Sequence, residues 1–352
     1  MGINLRAWRG LMGILTVSLC FSCGSKVEPK ISLEPPKSLE SGDKKLIKSV
    51  AFSPDGKFII TGGQNKKIKI IDLPAGQTSW ESAEQPDAVL SVAFSPDGKY
   101  FAATCGDNTQ NTAQVVVYDA ATKAEVWGKK GLTNDVQWVK FSPDGKTVAV
   151  ANYFSVTFYE AATGKQTYFF SGHPMEVAAP YGHVGAVTDI AFSTADPNKF
   201  VTVGWDRNVK IWDLTEGHEI KTFPEADPIN ACFMFADDRK IVTAGTGSIH
   251  VWNRETNLTD TIIGYEGDIQ AMCGIRDKEY FITGDETGKI VVWKTADYSV
   301  VREWPRAHQM GVWSLNASAD GKYFVSAGGD GRVTVWNLDY AMSRADSVNM
   351  KP

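Results

Sequence analysis

The stretch Val50-Ala51-Phe52-Ser53-Pro54-Asp55-Gly56-Lys57 returns at residues 92–99 and 139–146, with a worn copy at 315–322. Apolar residues at alternate positions, such as Val50 and Phe52, predict a half-buried strand. Ser-Pro-Asp-Gly then reverses the chain, since Pro presets φ and Gly accepts a backbone shape that a side chain resists. A second β-rich run follows, as in Phe58-Ile59-Ile60-Thr61 and Tyr323-Phe324-Val325-Ser326. One hairpin is used again and again, and a hairpin that cannot bury its own face has to stack on further copies.

The turn glycine or its equivalent falls at Gly56, Gly98, Gly145, Asn198, Arg239, Lys278 and Gly321. That is a period of roughly 40 to 50 residues, the range of four-stranded propeller blades. Each hairpin is followed by a third strand with a characteristic ending: Ile71-Asp72, Tyr118-Asp119, Tyr159-Glu160, Trp212-Asp213, Trp252-Asn253, Trp293-Lys294 and Trp336-Asn337. On these residues the chain resembles the WD-repeat family. The resemblance implies an all-β fold: a seven-bladed β-propeller of four-stranded antiparallel blades over residues 37–340. It also implies that residues 37–40 supply the outer strand of the last blade, because residues 339–352 offer none. Closure of that kind removes exposed sheet edges. Residues 341–352 are left as a C-terminal tail.

With 43 % hydrophobic residues the chain can bury a large core. Its formal net charge of −5, with no run of five like charges, argues against nucleic acid, which calls for a basic patch.

Residues 1–22 read as a signal peptide, with Arg6 and Arg9 first, an apolar run over 11–21, and small residues beyond. The apolar run is about half of the roughly 20 residues a membrane-crossing helix needs. Cys23, following Ser22, resembles the acylated cysteine of a bacterial lipoprotein. Leu19, Cys20 and Phe21 depart from that family's usual spacing and small residues. Residues 23–36, rich in Lys, Glu, Ser and Pro, then form a lipid-anchored flexible tether. The expected location is the bacterial envelope, with the outer membrane favoured if two membranes exist, because Gly24 rather than Asp follows Cys23. Cys20-x-x-Cys23 lacks the strand–helix context of a redox motif, and Arg6 stands where a myristoylation signal wants Ser or Thr.

Two constellations imitate a nucleophilic triad: His183, Thr202 and Asp206, and His308, Ser326 and Asp330. The resemblance implies a structural tetrad instead, in which Asp holds His, His holds the hydroxyl, and the hydroxyl takes the indole N–H of Trp212 or Trp336. A buried indole or imidazole left unpaired costs about 1–3 kcal/mol. Neither hydroxyl sits in a Gly-x-Ser-x-Gly elbow. The five His are scattered, and Cys105, Cys232 and Cys273 lack metal-ligand spacing. No Walker or dinucleotide glycine pattern occurs. No cofactor, metal or catalytic residue is expected.

Recognition is then left to surface. The resemblance places the loop between the second and third strands on one face of the disc, with the insertions at 105–114 and 172–181. The candidate protein-binding residues there are Trp205, Tyr153, Asn152, Gln64, Glu286 and Met175. Trp and Tyr are enriched in binding hot spots. The expected function is a monomeric, non-enzymatic, membrane-tethered protein-binding scaffold. The alternatives are a propeller enzyme with a funnel-mouth active site and a cytoplasmic signalling scaffold.

Overall fold

In the computed structural model the residues described are 36–39, 45–106, 112–132, 136–171, 182–235, 238–256, 258–275 and 279–343. The chain divides into two units, residues 1–32 and 33–352, and the first lies wholly outside the described residues, as do the signal, Cys23 and most of the tether.

The repeated turn accounts for its own sequence. Ser53 Oγ donates to Asp55 Oδ1 (2.7 Å) and accepts from Phe58 N (2.9 Å), while Gly56 N bonds Ser53 O (2.9 Å). Gly56 has φ 68°, which suits glycine. Ser95, Ser142 and Ser318 repeat the pattern with Asp97, Asp144 and Asp320.

The strands form six antiparallel sheets. Four have four strands in chain order, starting with Ile47–Phe52, Phe58–Gly63, Ile68–Asp72 and Gln77–Glu81. The others of this kind run over 89–130, 136–171 and 187–224. Another joins Val312–Ala317, Tyr323–Gly328 and Val333–Asn337 to the N-terminal strand Lys37–Leu39. The remaining sheet has six strands: Ile229–Met234, Lys240–Asn253, Leu258–Ile275, Tyr280–Asp285, Ile290–Lys294 and Val300–Trp304.

The expected seven blades are therefore corrected to six. The fifth and sixth repeat units share one sheet, because Lys240–Asn253 and Leu258–Ile275 each carry two strand positions without interruption. In other units a closed turn separates these positions, as where Lys66 N bonds Gly63 O (3.2 Å) and Arg207 N bonds Gly204 O (3.1 Å). Here only Thr246 and Gly247 intervene, and the Thr246–Asp268 pairing carries the ladder across. Repeats and blades are not one to one.

The first strands line a central channel of about 360 Å³. Side chains stitch neighbouring units there: Ser49 Oγ accepts Val92 N (3.0 Å) and Ser91 Oγ accepts Val139 N (3.2 Å). The same stitch joins the last unit to the first, where Ser314 Oγ accepts Val50 N (3.1 Å) and Asn316 Oδ1 accepts Phe52 N (2.9 Å). Asp189 replaces the serine in the fourth unit, its Oδ2 accepting Cys232 N (3.0 Å). A carboxylate there needs a cation, and Lys140 Nζ lies 2.5 Å from Asp189 Oδ1.

The apolar core sits between units. One cluster joins Phe158 and Phe170 to Phe200 and Trp212, and another joins Leu39, Ile47 and Ile59 to Val325 and Val333. Phe200 stacks on Trp212, Phe281 on Trp293 and Phe324 on Trp336 at centroid distances of 5.5–5.9 Å. Each such side chain contributes about 1.5–3 kcal/mol by burial.

The outer-strand rings occupy two register positions: Trp80 and Trp127 lie opposite Ile70 and Val117, whereas Phe223 and Trp304 lie opposite Val209 and Ile290. Alignment of the repeats puts Phe169 between blades with Trp127 and Phe223. Phe169 is instead 52 % exposed, and Phe170, at 8 %, fills the slot. Phe170 pairs with Val156, the register position that Phe223 takes opposite Val209 and Trp304 opposite Ile290, whereas Phe169 pairs with Thr157 and points to the other face of the sheet.

The helix Leu338–Ser343 crosses the boundary drawn after residue 340, with Asn337 Oδ1 capping Tyr340 N (2.9 Å) and Leu338 and Ala341 buried.

Candidate interaction face

Both expected tetrads are assembled. Trp212 Nε1 donates to Thr202 Oγ1 (2.7 Å), which lies 2.7 Å from His183 Nε2. His183 Nδ1 is 2.9 Å from Asp206 Oδ1. The donors balance when Thr202 O–H donates to Nε2 and the Nδ1–H donates to Asp206. Trp336, Ser326, His308 and Asp330 repeat the chain at 2.8, 2.7 and 2.9 Å. Burial pushes the Asp206 carboxyl up, but hydrogen bonds from His183 and the Val184 N–H outweigh it and hold the carboxyl below the usual range. Asp330 is held low in the same way by Gln309 N–H and His308. Thr202 and Ser326 are fully buried and their hydrogen bonds are spent on neighbours, so no substrate reaches them.

The other two Trp-bearing units solve the same problem with different residues, which pattern matching on His and Asp missed. In the sixth, Trp293 Nε1 donates to Thr283 Oγ1 (3.0 Å) and Tyr265 stands in for His, its O–H donating to Asp285 Oδ2 (2.9 Å). Burial and the Asp285 charge push the Tyr265 phenol up. In the fifth, Glu225 Oε1 accepts both Trp252 Nε1 (2.8 Å) and the Thr243 hydroxyl. The spacing held the signal: His308 precedes Ser326 by 18 residues, as Glu225 precedes Thr243.

Thiol chemistry is also disfavoured. Cys105 and Cys232 are buried free thiols, and Cys273 is half-buried in the channel wall. Burial raises the Cys105 and Cys232 thiols and pushes Cys273 up to about 12. A thiol held that high is a poor nucleophile at neutral pH. Among the described residues no group of three or more His, Cys, Asp or Glu side chains could hold a metal.

The candidate residues share one structural position. At the end of the second strand, Gln64 N bonds Leu46 O (3.0 Å), Trp205 N bonds Ala186 O (2.9 Å) and Glu286 N bonds Asp268 O (3.0 Å). Each loop is thus tied to the segment entering its own unit. Gln64 and Glu286 are exposed. Asn152 is corrected: it is buried, and its Oδ1 accepts Ser155 N (3.0 Å), so it closes its own turn rather than facing a partner. Met175, the rest of 172–181 and residues 107–111 lie outside the described residues.

Trp205 is 54 % exposed yet firmly held. Its Nε1 donates to Asn230 Oδ1 (3.3 Å), and Asn230 Nδ2 donates to Asp268 Oδ1 (3.0 Å) and Ile269 O (3.0 Å). Thr246 Oγ1 also donates to Asp268 (2.9 Å), so the chain of bonds spans three repeat units. The half-buried Tyr153 ring meets Trp205 edge-on at 6.5 Å, and Phe154 lies 5.0 Å behind Tyr153. Val184 is exposed beside them, its N–H bonded to Asp206 Oδ2 (3.0 Å). An aromatic pair fixed in place before binding saves the entropy of ordering it later.

Fold and site together define a β-propeller whose buried polar groups serve structure and whose exposed Trp205 stands on a loop face beside Tyr153. Four segments, residues 34–72, 79–109, 164–213 and 299–337, match the family model "WD domain, G-beta repeat". The 77 kDa echinoderm microtubule-associated protein of Lytechinus variegatus is 27 % identical over 240 residues, covering 62 % of this chain and 34 % of that protein. Protein TOPLESS of Arabidopsis thaliana is 28 % identical over 225 residues, covering 58 % of this chain and 18 % of that protein. The target of rapamycin complex subunit wat1 of Schizosaccharomyces pombe is 25 % identical over 208 residues, covering 56 % and 63 %. The chain spans about a third of the length of the sea-urchin relatives it matches. These matches and the sheet architecture support the WD-repeat β-propeller family.

Proposed function

We propose that this chain is a non-enzymatic protein-interaction scaffold that works through the face carrying Trp205 and Tyr153. The observation that carries the reading is the pre-set Trp205 indole, exposed on one side and tied through Asn230 to Asp268 on the other. The names of two relatives, a microtubule-associated protein and a complex subunit, agree with a role in association. No particular partner is carried over from them.

Membrane tethering belongs to the same proposal and rests on the sequence of residues 1–36. Cys23 is acylated, residues 23–36 are the tether, and the body stands in the bacterial envelope, with the outer membrane favoured. The body acts as a monomer, does not bind nucleic acid and carries no cofactor.

Pull-down with wild type and a Trp205→Ala, Tyr153→Ala double variant tests the face; recovery of every partner at wild-type level would dismiss it. Intact-mass analysis of wild type and Cys23→Ala tests the anchor. An unmodified wild-type N-terminus, or membrane association unchanged in the variant, would remove the lipid from the account.

A further inference from the structure

Every innermost strand carries a bulge at the same place near its start, which in the first, second, fourth and last units falls just before the stitching residue. The register shifts fall between Ile47 and Ser49, Val89 and Ser91, Val136 and Trp138, and likewise in the later units up to Val312 and Ser314. A bulge re-aims the extra side chain. In the first and last units the re-aimed residues are Lys48 and Trp313, and Lys48 Nζ lies 3.8 Å from the centre of the Trp313 ring. Both are half-buried.

Lys48 differs from the chain's other enclosed cations. Lys140 has Asp189 at 2.5 Å, and Lys210 has Glu219 at 2.6 Å. Among the described residues no carboxylate, hydroxyl or carbonyl pairs with Lys48, and the Trp313 indole N–H has no acceptor. Burial alone lowers the Lys48 pKa, with no anion to offset it. A ring face recovers only about 0.5–2 kcal/mol of a cation's lost hydration. Beside the pair, Met310 is exposed, and Gly329 sits between Met310 Cβ and Trp313 Nε1; a Cβ there would lie 2.9 and 3.3 Å from them. The patch offers two unspent donors and an apolar shoulder.

Building on the scaffold reading, we propose that Lys48, Trp313 and Met310 form a docking subsite for a carboxylate side chain of a protein partner, with an adjacent apolar side chain seated on Met310. Charge complementarity selects this occupant, since an enclosed ammonium without a counter-ion is satisfied by a carboxylate. Because the whole chain carries a net charge of −5, attraction to an acidic segment comes from short-range pairing rather than long-range steering.

The test is selection of a random heptapeptide display library on the full chain, followed by binding of the enriched synthetic peptides by fluorescence polarisation. The expected result is a motif with Asp or Glu next to an apolar residue. Binding should weaken by roughly tenfold or more in Lys48→Met and on amidation of the acid, and be retained in Lys48→Arg. Lys48→Met keeps the stem and removes the charge, so an unchanged melting temperature separates lost binding from lost fold. Enriched peptides without an acid, or equal binding to Lys48→Met, would overturn this subsite while leaving the scaffold reading intact. A dimer that Lys48→Met dissociates would give the subsite to a second copy, and that too overturns the proposal. Failure to enrich any peptide counts against the subsite; only the Trp205 and Tyr153 pull-down bears on the scaffold.

Discussion

Thr202 and Thr104 are two fully buried threonines on second strands of neighbouring kind, and replacing each by valine should have opposite consequences. Val matches Thr in shape, so the change removes a hydroxyl and little else. At Thr202 that hydroxyl accepts Trp212 Nε1 at 2.7 Å and lies 2.7 Å from His183 Nε2. Its removal orphans two buried groups at about 1–3 kcal/mol each, so Thr202→Val should cost about 2–6 kcal/mol. The Thr104 hydroxyl has no hydrogen-bond partner among the described residues. Thr104→Val removes a polar group that burial already penalises, and should be neutral or stabilising by about 1 kcal/mol. Equilibrium urea unfolding measures both, with unchanged slope showing that only the native state was altered. Equal destabilisation by the two substitutions, or a harmless Thr202→Val, would refute the claim that the tetrad holds the fold through its hydrogen bonds.

Phe170 is buried between units and Phe169 is half exposed, so Phe170→Ala should cost about 3–5 kcal/mol in the same assay, whereas Phe169→Ala should stay within about 0.5 kcal/mol; the reverse order would restore Phe169 to the core. Glu225 is raised by burial against the pull of His250 and its hydrogen bonds, so the folded state holds its proton more tightly than the unfolded one. Its contribution to stability is present below the ordinary Glu range near about pH 4.3 and is lost as pH rises through the raised folded value. Glu225→Gln should therefore gain stability relative to wild type as pH rises above the ordinary Glu range, and a difference that stays constant with pH would contradict the buried carboxyl. Asp206 is held low, so its contribution is present above the ordinary Asp value and lost as pH falls through the folded one. Asp206→Asn should flatten the acid limb of the stability curve; an unaltered limb would exclude the His183 pairing as its source.

The hairpin, its Ser-Pro-Asp-Gly turn and both tetrads were legible because they are written in residue types with few other uses. The blade count was not, since it depends on whether Thr246 and Gly247 close a turn or continue an extended ladder, and both choices fit the same two residues. The choice of Phe170 over Phe169 was hidden because the two rings are adjacent, and only the pairing register shows which of them faces the core. Asn152 had the right position and the wrong environment, because its amide closes a local turn. Tyr265 and Glu225 went unseen because they fill a role usually signalled by His. Trp205 and Tyr153 were legible as candidates, but only coordinates show the indole fastened through Asn230 to Asp268. Lys48 and Trp313 are distant in sequence and meet only because the first and last units adjoin.

The central claim is that recognition occurs on the loop face around Trp205 while buried polar groups hold the fold. Site-specific photo-crosslinking in cells tests it most directly, with the photoreactive residue placed at Trp205 on that face or at Ile220 on an exposed outer strand. Discrete protein adducts from position 205 and none from 220 are expected. Adducts from 220 alone, or the same set from both, would contradict the account.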